Sequence, residues 1–176
     1  SPDGRWVAYF RDKKGSENST MYLRDLGTGK DTGLVITRMK FSGVRWAPDA
    51  SGFWYTRLPD PDSVPAGQEQ QHRRVRFHRL ADPLLLDDEL VYGTGRPDIE
   101  SMSLFSSTDR ATTFLSRGLP YKSDDTFELT RVDGKTVMSP LFVGVDAITG
   151  VDKVGDTYLL TTDLDAPRRR VCTATS

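Results

Sequence analysis

The chain has two histidines, His72 and His78, and imidazole is the side chain that most readily binds metals or moves protons near neutral pH. They lie six residues apart in "HRRVRFH", and six residues of extended strand span about 20 Å. The two rings therefore cannot share one metal ion, and no metal site is expected. Because Val75 and Phe77 alternate with basic residues, the stretch predicts a half-buried strand whose basic face, including His78, is exposed to solvent.

A second chemical signal is the glycine pair in "LGTGKD", which looks like part of a phosphate-binding loop. Such a loop needs a glycine where this chain has Arg24, and a serine or threonine where it has Asp31. A hairpin turn accounts for the glycines, so no nucleotide or other cofactor is expected. Lys and Arg total 24 against 25 Asp and Glu, and this near-zero balance argues against nucleic acid or an anionic membrane as a partner.

The bulk composition limits the class of protein. The 176 residues are 36% hydrophobic and 28% charged, which suits an ordinary globular domain. Cys172 is the only cysteine, so the fold needs no disulfide and no oxidising compartment. No stretch approaches the roughly 18 apolar residues of a transmembrane helix. We expect a cytoplasmic protein, with the periplasm as the alternative, and the turn pattern at the first residues suggests a piece of a longer chain.

The elements that would position any site are indicated by an internal repeat. Four turn motifs begin near residues 1, 47, 107 and 154, and each has an aspartate at its turn. The longest interval contains an insertion over residues 59–74, rich in Pro, Gln and Asp, and removing about 14 residues from it restores a period in the mid-forties. The four motifs are "SPDGRWVAYF", "APDASGFWYT", "STDRATTFLS" and "VGDTYLLTTD".

Each repeat predicts four short strands. An apolar strand ("FSGVRW", "SMSLFS", "GVDAIT") precedes the Asp turn, and an aromatic, an alternating and a shorter strand follow it. Four strands at a period near 45 residues indicate a blade of a β-propeller, and no stretch has a helical apolar stripe. The first unit lacks its inner strand and the last lacks its outer one. We therefore expect an all-β fold of about 14 strands, an incomplete arc of three to four antiparallel blades.

Four strings, in order along nearly the whole chain, resemble the prolyl oligopeptidase family. They are "SPDGRWVAYFRD", "FSGVRWAPDASGFWYTR", "RVRFHRLADPLLLDDELVY" and "DLDAPRRRV". Members of that family are serine peptidases in which a seven-bladed propeller caps an α/β-hydrolase domain. The resemblance implies that this chain is part of such a propeller, and that the parent hydrolyses short peptides after proline.

The resemblance does not place catalysis in this chain. The family's nucleophilic serine lies in a G-x-S-x-G turn, and "GSENS" and "GTGRP" both fail to match that pattern. We expect no catalytic residues here, and a propeller that restricts which peptides reach the active site. The implied partners are the remaining blades, the α/β-hydrolase domain and, in the parent, a peptide. The alternatives are a scaffold or interaction propeller of another family and, less favoured, the propeller of a peptidase that admits dipeptides.

Trp54 is the one substrate-binding candidate. In "GFWYTR" it matches a position at which relatives carry an aromatic residue that lines the peptide pocket. The alternative is that Trp54 packs between blades, as large buried aromatic residues usually do. The open ends of the arc lead to a further expectation, self-association, because the strands near Trp6, Val7, Tyr9 and 158–160 would expose apolar faces or edges.

Overall fold

The structure is a computed structural model that describes residues 1–81, 88–96, 100–119 and 122–175. It divides into two compact units, Ser1–Asp98 and Ile99–Ser176, and each is described by itself. Across the described part of the chain, no helix has the length and apolar character that crossing a bilayer requires. The one helical element described is a single 3-10 turn at Pro61–Ser63.

The first unit contains two antiparallel sheets. The first sheet has the strand order β1-β2-β3 and the second has the order β4-β5-β6-β7, so each strand pairs with its sequence neighbour. Each sheet is therefore an antiparallel meander. The strands are β1 (Trp6–Arg11), β2 (Thr20–Asp25), β3 (Lys30–Ile36), β4 (Val44–Trp46), β5 (Gly52–Arg57), β6 (Arg74–Arg79) and β7 (Glu89–Tyr92).

The second unit repeats the arrangement. Its sheets are β8-β9-β10-β11 and β12-β13-β14, again antiparallel meanders. Pro140 lies in β11, an edge strand, where a missing N–H is tolerated. The described residues thus form 14 strands in sheets of three, four, four and three, which confirms the predicted fold class. The strands are β8 (Ser101–Ser106), β9 (Thr113–Leu119), β10 (Ser123–Val132), β11 (Lys135–Phe142), β12 (Thr149–Val154), β13 (Thr157–Thr162) and β14 (Arg170–Thr175).

The aspartates of three turn motifs, Asp3, Asp49 and Asp109, accept backbone N–H groups and so close their turns. The carboxylate of Asp49 accepts the backbone N–H of Ser51 at 3.0 Å, two residues further along the chain. Asp3 and Asp109 accept the N–H groups of the residues two positions after them at 3.2 and 3.0 Å. An Asx turn of this kind satisfies a backbone donor locally, which is why the motif separates two strands.

One predicted strand is in the wrong place. The sequence stretch "GVDAIT", residues 144–149, was expected to be the inner strand of the last blade, but β12 begins only at Thr149. Gly144 has a positive φ of 73°, and its N–H is bound by the side chain of Asp125. The N–H of Ala147 donates to the carbonyl of Val145. These local bonds make the stretch a series of turns and shift the strand toward the C-terminus.

A hydrophobic core joins the two sheets of the first unit. It combines side chains from β1 to β3, from the loop that follows β3, and from β5, all less than a tenth exposed. Trp6 belongs to it and is 7% exposed, whereas its neighbour Val7 is 39% exposed, so Val7 and not Trp6 presents an apolar side chain at this edge. Alternation along β1 explains the difference. The core residues are Trp6, Met21, Leu23, Leu34, Ile36, Met39, Phe53 and Tyr55.

Candidate functional site

Trp54, the sequence-predicted substrate residue, lies in the middle of β5 and is fully buried. Strand alternation places it on the opposite face from Phe53 and Tyr55, which belong to the core between the two sheets. Its indole ring packs edge-to-face against Phe77 of β6, with the ring centroids 5.0 Å apart. Because the five residues from Gly52 to Thr56 are all buried, both faces of β5 are covered. The geometry of the described chain therefore suits a packing role for Trp54.

His78 does not lie on a solvated strand face, as the sequence pattern predicts, but is fully buried. Its Nδ1 lies 2.8 Å from one carboxylate oxygen of Asp88, and the other oxygen accepts the hydroxyl of Tyr55 at 2.5 Å. Burial, and secondarily the Asp88 charge, raises the pKa of Tyr55 far above its usual value. The prediction of an exposed His78 is wrong because β6 is paired on both sides and its face at His78 is covered by core residues.

A histidine bonded to a carboxylate is also the arrangement that orients a catalytic base. Here the remaining ring nitrogen, Nε2, is buried and has no hydrogen-bond partner among the described residues. The ring also packs against the aromatic ring of Phe53, with the ring centroids 5.1 Å apart. The Tyr55–Asp88–His78 group therefore links β5, β6 and the start of β7 structurally, and the geometry gives it no nucleophile to activate.

Two arginines hold the insertion against the first unit. The guanidinium group of Arg38 donates to the backbone carbonyls of Pro59 and Glu69, near the two ends of the insertion. Arg73, at its C-terminal end, donates to the carbonyl of Lys40 at 2.7 Å. Burial lowers the pKa of Arg73. Through these bonds the insertion is attached to the loop between β3 and β4, although residues 60–63 and 65–67 are exposed.

The second unit has its own polar connections. Asp152 of β12 accepts both the N–H and the hydroxyl of Thr108, which belongs to the turn between β8 and β9. These bonds lower the pKa of the Asp152 carboxyl. Arg117 of β9 lies 2.8 Å from Glu100 and 2.8 Å from Asp125. Both arrangements connect neighbouring strands and turns of the same unit.

Metal binding has no support in the described residues, where no group of three or more His, Cys, Asp or Glu side chains converges. His72 lies in the insertion and its Nε2 is 2.6 Å from the side chain of Gln68. His78 has its partner in Asp88, as above.

Several of these residues could not be assigned from local patterns. In the sequence, nothing distinguishes Arg38 and Arg73 from other arginines in loops. Their partners are backbone carbonyls, whose positions depend on the tertiary fold. Asp88 offers a weak signal. It follows "RFHRL" by one hairpin, and in an antiparallel hairpin residues that precede and follow the turn come together. Combined with the antiparallel pairing of β6 and β7, that spacing could have suggested the contact with His78.

Comparisons with known proteins match the entire chain. Residues 1–176 match the family described as "Prolyl oligopeptidase, N-terminal beta-propeller domain". The prolyl endopeptidase of Elizabethkingia meningoseptica is 29% identical over 175 residues, which are 98% of this chain and 24% of that protein. Prolyl oligopeptidase A of Galerina marginata is 32% identical over 106 residues, 51% of this chain and 14% of that protein. The chain thus spans about a quarter of the length of the first of these relatives.

Comparison with solved structures gives matches to the same family. A structure from an analysis of two prolyl endopeptidases and their inter-domain dynamics matches with a TM-score of 0.81 and 25% identity, over 98% of this chain and 25% of that one. Prolyl oligopeptidase B from Galerina marginata, bound to a 35mer hydrolysis and macrocyclization substrate, matches with a TM-score of 0.79. It is 20% identical over 98% of this chain and 26% of that one, so it shows the fold alone. The resemblance found in the sequence is confirmed, and the chain belongs to the prolyl oligopeptidase family as part of its N-terminal β-propeller domain.

Proposed function

We propose that the chain is part of the propeller of a serine peptidase that cleaves short peptides after proline, and that it restricts access of peptides to a catalytic domain. The observation that carries the proposal is the match of all 176 residues to the propeller domain of this family. Relatives that match 98% of the chain are named prolyl endopeptidases. In this proposal the partners are the remaining blades, an α/β-hydrolase domain and a peptide substrate.

The proposal assigns no chemistry to the chain itself. We expect the isolated 176-residue chain neither to hydrolyse a proline-linked chromogenic peptide nor to react with a serine-directed fluorophosphonate. The product of the complete gene should do both, and its activity should fall steeply as the peptide substrate becomes longer. Stoichiometric labelling of the isolated chain, or a complete gene product without peptidase activity, would overturn the proposal. The second result would favour a scaffold or interaction propeller.

A role of Trp54 in contacting the peptide is the finer part of the proposal. It is supported by the match of "GFWYTR" to a position where relatives carry a pocket aromatic residue, whereas full burial against Phe77 supports packing. The variants Trp54→Phe and Trp54→Ala of the complete protein separate the two roles. A peptide contact predicts that Trp54→Phe raises KM several-fold with unchanged stability, because an indole makes more contact than a phenyl ring. A packing role predicts unchanged KM and a lower unfolding temperature.

We propose a cytoplasmic location, with the periplasm as the alternative. The support is that the single cysteine, Cys172, is free and the fold contains no disulfide to protect. Fractionation of the source cells, followed by detection of the complete protein, tests this directly. Recovery in the periplasmic fraction would replace the first location with the second.

A further inference from the structure

Three arginines lie on one face of the second sheet of the first unit. Arg57, the last residue of β5, is paired directly opposite Arg74, the first residue of β6. Arg76 lies two residues further along β6, on the same face. Like charges directly opposite each other on neighbouring strands destabilise the pair. This arrangement is therefore favourable only with negative charge close to the three guanidinium groups.

The carboxylates that the structure places there neutralise this charge only in part. Asp60 lies 2.6 Å from Arg57, but 67% of its side chain is exposed, so water screens the pair. The backbone carbonyl of Asp88 accepts a hydrogen bond from the Arg76 guanidinium group at 3.1 Å. The two carboxylate oxygens of Asp88 are already bonded to Tyr55 and His78. The Nε groups of all three arginines are buried and have no hydrogen-bond partner among the described residues. Buried donors without an acceptor are unfavourable.

A cavity of about 110 Å³ is lined by all three arginines. Its other walls include Leu58, which is 1% exposed, and the first residues of the insertion. A second cavity, of about 100 Å³, shares Arg57 and Arg76 with it and reaches the end of β3. Since one water molecule takes up about 30 Å³ of the liquid, the first cavity has room for an ion of several heavy atoms.

We propose that the first cavity is a binding site for a small oxyanion, a phosphate or carboxylate group, held by Arg57, Arg74 and Arg76. The planar guanidinium group presents paired N–H donors that match two oxygens of either group. Three such groups line the cavity, and Asp60 is the one carboxylate among the described residues of its wall. An oxyanion would supply the counter-charge between the opposed strands. The apolar wall at Leu58 limits water and strengthens these interactions.

The test is a calorimetric titration of inorganic phosphate into the 176-residue chain at constant ionic strength in chloride buffer, with acetate in a second arm. We expect saturable binding of one anion per chain. Arg74→Gln should weaken it about tenfold or more, because a charge-assisted bidentate contact is lost. Arg170→Gln removes the same charge from the exposed start of β14 and is the control, with affinity within about twofold of the original chain because added salt screens distant charges.

The variant Arg74→Lys keeps the positive charge. It therefore separates the loss of the guanidinium group from a general effect of charge removal or of misfolding. It should retain the fold, verified by circular dichroism, and bind more weakly than the original chain because an ammonium group cannot bind two oxygens in a fixed plane. Phosphate should raise the unfolding temperature of the original chain and of Arg170→Gln more than that of Arg74→Lys. Binding of either phosphate or acetate at this site supports the proposal. The absence of binding by both, or equal affinity in Arg74→Gln and Arg170→Gln, overturns it.

Discussion

At the scale of single residues, the Tyr55–Asp88–His78 group is a polar link inside an apolar core. The Tyr55 hydroxyl and the His78 ring use both oxygens of one carboxylate, so each partner removes an otherwise unsatisfied buried acceptor. Removing a partner of a buried charged group usually costs more than the bond contributes, because the charge stays behind. The local sequence does not predict this hydrogen-bonded group, since each of the three residues alone fits a surface strand or a turn.

The substitution Tyr55→Phe tests this link. At neutral pH we expect a loss of about 1–2 kcal/mol in the free energy of unfolding, from one hydrogen bond to a carboxylate. The raised pKa of Tyr55 also sets an alkaline dependence. Above about pH 10 the unfolded tyrosine ionises while the folded one keeps its proton, so the original chain loses up to about 1.4 kcal/mol per pH unit that the variant does not lose.

Denaturant unfolding of both chains between pH 7 and pH 11 measures this difference. Tyr9→Phe is the matched control, because Tyr9 also donates to an aspartate, Asp31, at 2.8 Å, but in an exposed pair screened by water. A Tyr55→Phe chain whose deficit stays constant from pH 7 to pH 11 would show that the hydroxyl is accessible to solvent in the folded state.

Gly52 carries a second residue-scale prediction. A Cβ atom built there would meet the backbone carbonyl of His78 and lie 2.6 Å from the Phe77 ring. We expect Gly52→Ala to lower the free energy of unfolding by about 1–3 kcal/mol, because a packed strand must move to admit the methyl group. Gly150→Ala is the control, since its nearest atom beyond its chain neighbours would be the Thr161 carbonyl at 3.9 Å. Thermal unfolding of both variants measures the difference in stability. Equal stabilities would mean that β5 and β6 move apart without cost to admit the methyl group.

At the scale of elements, the connection between β5 and β6 has a mostly exposed middle, residues 60–67, and ends that are held by arginines. Arg38 donates to the carbonyls of Pro59 and Glu69, and one guanidinium group can do so only if the two ends of the loop are close together. Limited proteolysis should therefore cut first between residues 60 and 67, where most side chains are exposed. Arg38→Ala should accelerate that cut, because it releases both ends.

Replacing residues 61–68 by a short glycine-containing turn should change the free energy of unfolding by about 1 kcal/mol or less, since loop-closure entropy varies slowly with length. The replacement leaves Asp60 and Glu69, and so the partners of Arg57 and Arg38, in place. Denaturant unfolding measures the change. A loss of several kcal/mol would show that the removed segment is packed structure.

The elements themselves were largely predictable from sequence, and their environment was not. Alternation and the Asp turns are local signals, and they identify most strands and the turns at Asp3, Asp49 and Asp109. The start of β12 at Thr149 was missed because an apolar composition does not exclude a run of turns. The burial of His78 was missed because alternation assumes one solvated face, whereas both faces of β5, the strand beside it, are buried.

At the scale of the whole molecule, the family match and the strand count agree that the chain is one part of a larger propeller domain. Three-stranded sheets occur at both ends of the described sequence, β1 to β3 and β12 to β14. β1 and β14 are edge strands of those sheets, and edge strands offer unpaired backbone groups to other chains. Val7 on β1 and Val171 on β14 are 39% and 71% exposed.

We therefore expect the isolated chain to be marginally stable and to self-associate as its concentration rises, unless the remaining blades are supplied in trans. Light scattering over a concentration series measures association, and amide exchange measures protection of the edge strands. Val171→Lys should reduce association because a charged edge resists pairing, whereas Val143→Lys, at a valine that is 41% exposed and lies outside the strands, should not. A strictly monomeric chain with strong amide protection in β1 and β14 would mean that these edges are satisfied within the chain. The blade count from the repeat would then need revision, because closed edges leave no place for further blades.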